Sequence, residues 1–184
     1  VVYCESSTWQ LRYTGRSIQP FQIEKVNTEL GVESTFSSVQ FDTSLIGIGD
    51  KGVVECDSYK SERIDIKIPD LVMRFNNNNS GAKRVQGIRD FQQRVAYWTY
   101  VQPFTDAIYP NRRLVYNYEG DSWAIFIDSY TGLGNFQPLE DSQWQDFPPP
   151  DQENQWQAQN YAWQTAPVGL PMIVGGNQQG YVSL

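Results

Sequence analysis

The sequence contains no histidine, the side chain that most often serves proteins as a general base and as a metal ligand. It has only two cysteines, Cys4 and Cys56, and no CxxC motif. We expect two reduced, partly buried thiols, although a disulfide between them stays open because sequence spacing cannot decide it. We therefore assign no catalytic, cofactor-binding or metal-binding residues.

Long apolar runs are also missing, since no stretch of 18 apolar residues occurs and a membrane-spanning helix needs about 20. The N-terminal residues do not have the pattern of a signal peptide. The chain instead opens on Val1, Val2 and Tyr3, which are typical of a strand. A chain that opens in this way is expected to be part of a longer polypeptide.

Positive charge is scarce. The 14 Lys and Arg residues are outnumbered by 21 Asp and Glu residues, which gives a net charge of −7. A protein that binds nucleic acid needs a basic face to displace counterions. We therefore do not expect the chain to bind nucleic acid. If its surface faced DNA passing through a channel, the negative charge would repel the DNA. Hydrophobic residues make up 40% of the chain and aromatic residues 14%, a composition that favours a packed β-sheet core.

Four hairpins are predicted where alternating apolar residues flank short turns of Gly, Asp, Asn, Gln or Ser. In the clearest one, Leu114 and Tyr116 share a face with Trp123 and Ile125 of the next strand. Gly120 lies in its turn and allows the positive φ that tight hairpins need. The hairpins are expected over residues 1–13, 45–56, 114–127 and 172–184.

Further strands are predicted at residues 36–41, 84–91 and 94–101. With the hairpin at 114–127, the last two make residues 84–128 one complete four-stranded blade. A propeller blade takes about 40–50 residues, and radial repetition of blades protects sheet edges. We therefore predict a single all-β domain over residues 1–184. It consists of antiparallel four-stranded blades that form a β-propeller or part of one, about three to four blade equivalents.

Two segments do not read as simple strands. Residues 61–75 begin with alternating isoleucines and then break at Pro69, which predicts a strand followed by a short helical turn. Residues 138–167 are rich in Gln, Asp and Pro and are expected to be an inserted excursion held on the sheet by aromatic anchors. Its aromatic residues are also a candidate sugar-binding surface: Trp144, Trp156, Tyr161 and Trp163.

The carboxylates do not suggest an enzyme. Glu119 and Asp121 flank Gly120, and acidic residues in hairpin turns usually serve turn geometry. No GxSxG nucleophile motif occurs, and there is no histidine to activate a serine. The glycines at 47–49 and 175–176 do not open a predicted helix, so they are interpreted as turn residues and not as a phosphate site. We expect a protein without catalytic activity.

Several strings resemble the β-propeller tail proteins of tailed bacteriophages, namely the nozzle, stabilisation or muzzle components of short-tailed phages, including crAss-like phages. The longest is 109–124 (YPNRRLVYNYEGDSWA), preceded by 97–100 (YWTY). Others are 7–15 (STWQLRYTG), 46–53 (IGIGDKGV), 63–65 (RID) and 173–181 (IVGGNQQGY). The resemblance covers most of the chain outside 138–167, and its motifs describe turns and strands more specifically than function.

This resemblance implies a structural part of the virion tail, synthesised in the host cytoplasm. Copies of the protein would form a ring around the DNA channel together with other tail proteins, and the DNA would pass through it during ejection. Such proteins are much longer than this chain, which would supply only some of the blades. The alternative is a carbohydrate-binding or receptor-binding module that contacts host glycan through Trp144, Trp156, Tyr161 and Trp163. A glycoside-active propeller is a third alternative.

The sequence predicts that the blade core contains Trp123 together with Val95, Tyr97, Leu114, Tyr116 and Ile125. Replacing Trp123 with alanine should then lower the free energy of unfolding by about 3–5 kcal/mol, as for other large aromatic side chains in cores. Thermal unfolding of the variant measures this loss, and an unchanged melting temperature would count against the strand assignment.

Overall fold

A computed structural model describes residues 1–68, 84–103, 105–137 and 171–183 of the chain. The described residues are all-β, with fourteen strands, one short 3₁₀ turn (Thr35–Ser37) and no α-helix. The strands form four antiparallel sheets, and within each sheet the neighbouring strands follow one another in sequence. The all-β, antiparallel part of the prediction is therefore confirmed.

The four sheets also follow one another along the chain, and we name them A to D. Sheet A contains β1 (Val2–Cys4), β2 (Ser7–Tyr13) and β3 (Phe21–Asn27). Sheet B contains β4 (Val39–Gln40), β5 (Leu45–Gly49), β6 (Gly52–Cys56) and β7 (Ser61–Arg63). Sheet C contains β8 (Gln86–Asp90), β9 (Val95–Tyr100), β10 (Arg112–Asn117) and β11 (Ser122–Phe126). Sheet D contains β12 (Gly132–Phe136), β13 (Met172–Gly176) and β14 (Val182–Ser183).

Turns in all four sheets use the same local chemistry. An Asn or Asp at or just after the end of a strand accepts two backbone N–H bonds from the residues that follow, as Asn117 Oδ1 does from Glu119 and Gly120 at 3.0 and 2.9 Å. This side-chain turn replaces backbone pairing where the chain reverses. The residues that act in this way are Asn27, Asp57, Asp90, Asn117 and Asn177.

The four predicted hairpins are all present, at β1–β2, β5–β6, β10–β11 and β13–β14. In the β10–β11 turn, however, the positive φ belongs to Asp121 (45°) and not to Gly120. Asp tolerates this region because its short side chain can hydrogen-bond locally. The prediction placed the right turn but chose the wrong residue within it.

The main core lies between sheets B and C, which pack face to face. Their buried residues form one cluster: Val39, Ile46, Ile48, Val53, Val85, Ala96, Trp98, Tyr100, Leu114 and Tyr116. Trp98 is completely buried, and its indole N–H donates to the backbone oxygen of Ser37 at 2.8 Å. Gly87 leaves room for this indole, since a Cβ at that position would lie 2.6 Å from Trp98 Nε1.

The predicted core of sheet C needs correction. Leu114 and Tyr116 do face sheet B, but the alternation along β9 turns Val95 and Tyr97 to the opposite face, towards sheet D. Ile125 shares the core-facing side yet remains 46% exposed, because it lies on the edge strand β11. Trp123 is partly buried and stacks on Tyr116 at 4.3 Å between ring centroids. We therefore expect Trp123→Ala to cost about 3 kcal/mol, at the lower end of the predicted loss.

Other predicted strands are shorter than expected. Residues 35–37 form the 3₁₀ turn, so only β4 remains of the strand predicted at 36–41. The strand predicted from residue 61 ends at Arg63, and the rest of that segment beyond residue 68, with Pro69, lies outside the described residues. Strands β3 and β12 were not predicted.

The remaining junctions complete a stack in the order A–B–C–D. Tyr3 on sheet A donates a hydrogen bond from its hydroxyl to the Leu45 oxygen of sheet B at 2.6 Å, and Val32 fills the space above Gly47. On the far side, Gln92 in the turn after β8 donates to the Pro171 oxygen beside sheet D. The first strands of sheets B, C and D contact one another in the pairs β4–β8 and β8–β12. Three sheets therefore have their first strands on one side of the molecule.

Buried tyrosines should make the fold sensitive to alkali. Burial, reinforced by Asp121, raises the pKa of Tyr116 to about 12, and burial also raises the pKa of Tyr3, Tyr97 and Tyr100. The unfolded value is near 10, so the stabilisation is complete below about pH 10 and is lost as pH rises through each folded pKa. We expect the free energy of unfolding to fall from about pH 10 upward, by up to about 1.4 kcal/mol per pH unit for each such tyrosine.

Urea denaturation at pH 8, 10 and 11 measures this decline. The Tyr116→Phe variant should show a shallower decline, because it has one fewer phenol to ionise. A wild-type stability that does not change over this range would contradict the prediction.

Candidate functional site

The four aromatic residues proposed as a sugar-binding surface, Trp144, Trp156, Tyr161 and Trp163, lie outside the described residues, as does the whole 138–167 excursion. Within the described part of the chain, no three His, Cys, Asp or Glu side chains are grouped so that they could hold a metal ion. No helix among these residues is long and apolar enough to cross a membrane. Both cysteines are free thiols, Cys4 exposed and Cys56 buried.

A cavity of about 390 Å³ lies at the junction of sheets C and D. Its wall combines two phenol rings, Tyr97 and Tyr130, with the guanidinium of Arg113 and two amides, Gln92 and Gln93. Tyr130 is fixed in place because its ring lies over Gly175, where a Cβ would come within 2.5 Å of it. Such a mixture of rings and hydrogen-bonding groups is the kind of lining that polar small molecules require.

The guanidinium of Arg113 lies against the aromatic rings of this cavity wall. Its guanidinium carbon lies 4.9 Å from the ring centroid of Tyr97, 5.4 Å from Phe126 and 5.5 Å from Tyr130. It also pairs with Asp128, with 2.8 Å between Nη2 and Oδ2. Burial raises the pKa of the Asp128 carboxyl, and the charge of Arg113 opposes that rise. Arg113 therefore joins sheet C to the segment that leads into sheet D.

Arg89 makes a similar junction between sheets B and C. Its guanidinium lies 4.6 Å from the centroid of Phe41, 4.9 Å from Tyr118 and 4.5 Å from Phe91. It donates to Asp42 Oδ1 at 3.1 Å. A cation held over aromatic faces contributes about 0.5–2 kcal/mol, depending on how far it is desolvated. Both arginines therefore bridge neighbouring sheets of the stack.

The outer face of sheet A is apolar and, within the described part of the chain, largely exposed. Residues opposite one another in an antiparallel pair share a face, and the pairs Val2–Trp9, Leu11–Ile23 and Tyr13–Phe21 all lie on the side away from sheet B. The six side chains of these pairs form what we call the arm face. Leu11, Tyr13, Phe21 and Ile23 are 49–69% exposed.

The β2–β3 hairpin projects beyond sheet B. The opposite side of the hairpin carries Arg12, Gln22 and Glu24, and these polar residues are also exposed. Ile18, in the connecting loop, is 97% exposed. Because both faces of residues 11–24 are open, the hairpin is an arm with one apolar and one polar face. Contiguous exposed apolar faces are uncommon on monomers and are typical of interaction surfaces.

The outer face of sheet D is the other end of the stack that the described residues leave partly uncovered. By register, Phe136 pairs with Met172, and Gly134 pairs with Val174, on the side away from sheet C. Val182 extends this face and is 73% exposed. No strand of sheet D carries a charged residue. We call Phe136, Met172, Val174 and Val182, with Gly132, Gly134 and Gly176, the glycine face.

A scan against protein-family models and a search of curated proteins found no match to this chain.

Sequence reasoning missed both uncovered faces. The alternation of Phe21 and Ile23 was a usable signal for β3, but the apolar pattern stops at Lys25. Lys25 shares the outer face and lies 4.6 Å over the ring of Trp9, so a cation ends the visible alternation. In β12, Gly132 and Gly134 are of a residue type that is typical of turns, so this strand was not predicted.

The Arg113–Asp128 pair gives a pH-dependent prediction. Arg113→Met should lower the free energy of unfolding at pH 7 by about 1–3 kcal/mol, because it leaves a half-buried carboxylate without its cation. A raised folded pKa means that stability is lost as pH rises through it and is regained on acidification. The difference between wild type and variant should therefore shrink between pH 7 and about pH 4, the ordinary pKa of a carboxyl.

Urea denaturation at both pH values measures this effect. Lys67→Met is the matched control, because the Lys67–Asp121 pair is about 60% exposed on both sides and should contribute about 0–1 kcal/mol. An equal loss at pH 7 and about pH 4 would contradict a role for the Asp128 charge.

Proposed function

We propose that this chain is a segment of a β-propeller wall with a structural, non-catalytic role, of the kind found in the tail nozzle of short-tailed bacteriophages. The observation that carries the proposal is the succession of four meander sheets in chain order, in which sheets B and C share one core. The contacts of β4 with β8 and of β8 with β12 are what radial blades require, since their first strands line one central axis. The assignment to a phage tail rests on the family resemblance of the sequence.

A wall around a DNA channel needs rigidity, and the junctions between the sheets supply it. The B–C core is closely packed around Trp98, and Arg89 and Arg113 bridge successive sheets through rings and carboxylates. The net charge of −7 suits a channel through which DNA passes without being held. On this proposal the partners are other copies of the chain and other tail proteins, and the location is the virion tail.

A carbohydrate-binding module is the second candidate, and the cavity between sheets C and D favours it. The cavity lies beside a donor, Arg113 Nε, that has no hydrogen-bond partner within the described part of the chain. We rank this function second because Arg113 already covers a face of each neighbouring ring, which limits stacking against a sugar.

Immunogold electron microscopy tests the first proposal. Antibodies raised against the recombinant chain should label one end of purified tailed particles from a host culture that carries the gene. Isothermal titration with neutral oligosaccharides, run on the same recombinant protein, should give no heat of binding. Label confined to the lysate and absent from purified particles would overturn the structural proposal. Saturable sugar binding that Gln93→Ala weakens would support the second candidate.

A further inference from the structure

We propose that the free edge of β1 receives one more strand, the innermost strand of sheet A, and that this strand lies directly N-terminal to Val1 in the polypeptide of which the chain is a segment. The inference rests on the proposed function, because it takes sheet A to be a propeller blade. It assigns an interaction surface and a partner to an edge of the sheet and not to either of its faces.

Sheet A has three strands, whereas sheets B and C have four, and the contact between sheets A and B shows which position is missing. Tyr3 on β1 donates from its hydroxyl to the oxygen of Leu45, the first residue of β5, at 2.6 Å. Since β5 is the second strand of sheet B, β1 lies at the level of a second strand.

The next strand of sheet A gives the same result. Thr8 on β2 lies beside Ser61 on β7, with 3.4 Å between the two hydroxyl oxygens. Ser61 belongs to the fourth strand of sheet B and pairs with Cys56 on the third. The strands β1, β2 and β3 therefore correspond to the second, third and fourth strands of a blade, and the first strand is missing.

The link from β3 to β4 runs in the direction that this assignment requires. The oxygen of Leu30 accepts a hydrogen bond from Thr8 on β2 at 2.8 Å, and then the N–H of Val32 donates to the oxygen of Cys4 on β1 at 3.0 Å. Residues 33–38 follow before β4 begins. The link thus crosses β2 first and β1 second on its way to an inner strand, which places the free edge of β1 on the inner side.

This inner edge offers main-chain groups for pairing. Cys4 and Ser7 close a two-residue turn, and such a closing pair exchanges both of its hydrogen bonds. Because hydrogen-bonded and non-hydrogen-bonded pairs alternate along an antiparallel ladder, the N–H and C=O of Tyr3 point away from β2. Val2 beside it is 47% exposed. An edge of this kind is a template for one more strand.

The topology of the described sheets selects the occupant. In all four sheets each strand pairs with the strand next to it in the sequence, with no crossover inside a sheet. By the same order, the neighbour of β1 on its free side is the strand that precedes it in the chain. Residues 69–83 link sheet B to sheet C, and residues 138–170 link β12 to β13, so a strand from either link would break this order. A strand from a second copy would break it as well.

The first strands of the other sheets indicate what form this strand takes. Strands β4, β8 and β12 have two to five residues, and the turns 41–44 and 91–94 join β4 and β8 to the strands that follow them. We therefore expect a short strand that ends about four residues before β1, within the usual length of a hairpin loop. It should contact β4, as β4 contacts β8.

Hydrogen exchange of the Tyr3 amide tests the inference, with the complete polypeptide that the gene encodes and the 184-residue chain as the two samples. In the complete polypeptide this amide should exchange about 100-fold more slowly or slower still, because only there does a strand pair with it. The Cys4 amide is the matched control, because it pairs with β2 and should be protected equally in both samples.

A proline substitution gives an independent measurement. By the same alternation the N–H of Val1 points to the free edge, so Val1→Pro removes a donor that β2 does not use. The shorter chain should keep its melting temperature, whereas the complete polypeptide should lose about tenfold or more of the protection at Tyr3. Val2→Pro removes a donor from the pair with Trp9 and should destabilise both samples.

Equal exchange of Tyr3 in the two samples would overturn the inference. Slow exchange in both would mean that other residues of the chain or a second copy fill the edge, and dilution would distinguish these two. Fast exchange in both would mean that the edge stays open, and labelled tail particles would then leave the proposed function standing. Conversely, slow exchange in the complete polypeptide alone, together with unlabelled particles, would reject the tail and keep the added strand.

Discussion

The packing of sheet B on sheet C through Trp98 is the contact on which the rest of the structure depends. The indole is completely buried, it fills the space left by Gly87, and its N–H satisfies the Ser37 oxygen of the turn before β4. A buried tryptophan usually places its one donor against an acceptor, as Trp98 does here. The B–C junction is therefore specific in geometry as well as apolar, and it fixes the two sheets against each other.

Consequences of this junction extend in both directions along the stack. On β6 the consecutive residues Val53 and Val54 are both fully buried, Val53 towards sheet C and Val54 towards sheet A. On β9 the neighbours Val95 and Ala96 are both buried in the same way. Sheets covered on both faces lose the simple apolar–polar alternation, because both sides are core. Within the described residues, sheets A and D form the ends of the stack and keep one open face each.

The sequence was informative where structure is local. All four hairpins could be predicted, because alternating residues and the Asn, Asp and Gly of the turns act within a few positions of each other. Which face of β9 meets sheet B could not be predicted, because Ala96 and Trp98 are selected by the shape of another sheet, and the wrong pair, Val95 and Tyr97, looked equally apolar. The exposed sheet faces were harder to predict than the hairpins. An exposed apolar face and a buried one have the same local sequence pattern, because they differ only in whether another part of the protein packs against them.

The contacts of individual carboxylates support a structural role for the described residues more directly than the net charge does. A glycosidase needs two carboxylates free to act on a sugar. Here Asp57 and Asp90 hold turns, the fully buried Asp65 accepts two bonds from Arg63, and Asp42 and Asp128 pair with the arginines that bridge sheets. Even Glu119 and Asp121, which flank the β10–β11 turn, are paired, with Arg94 and Lys67. These seven carboxylates fix turns and junctions, which agrees with the structural role proposed for the chain.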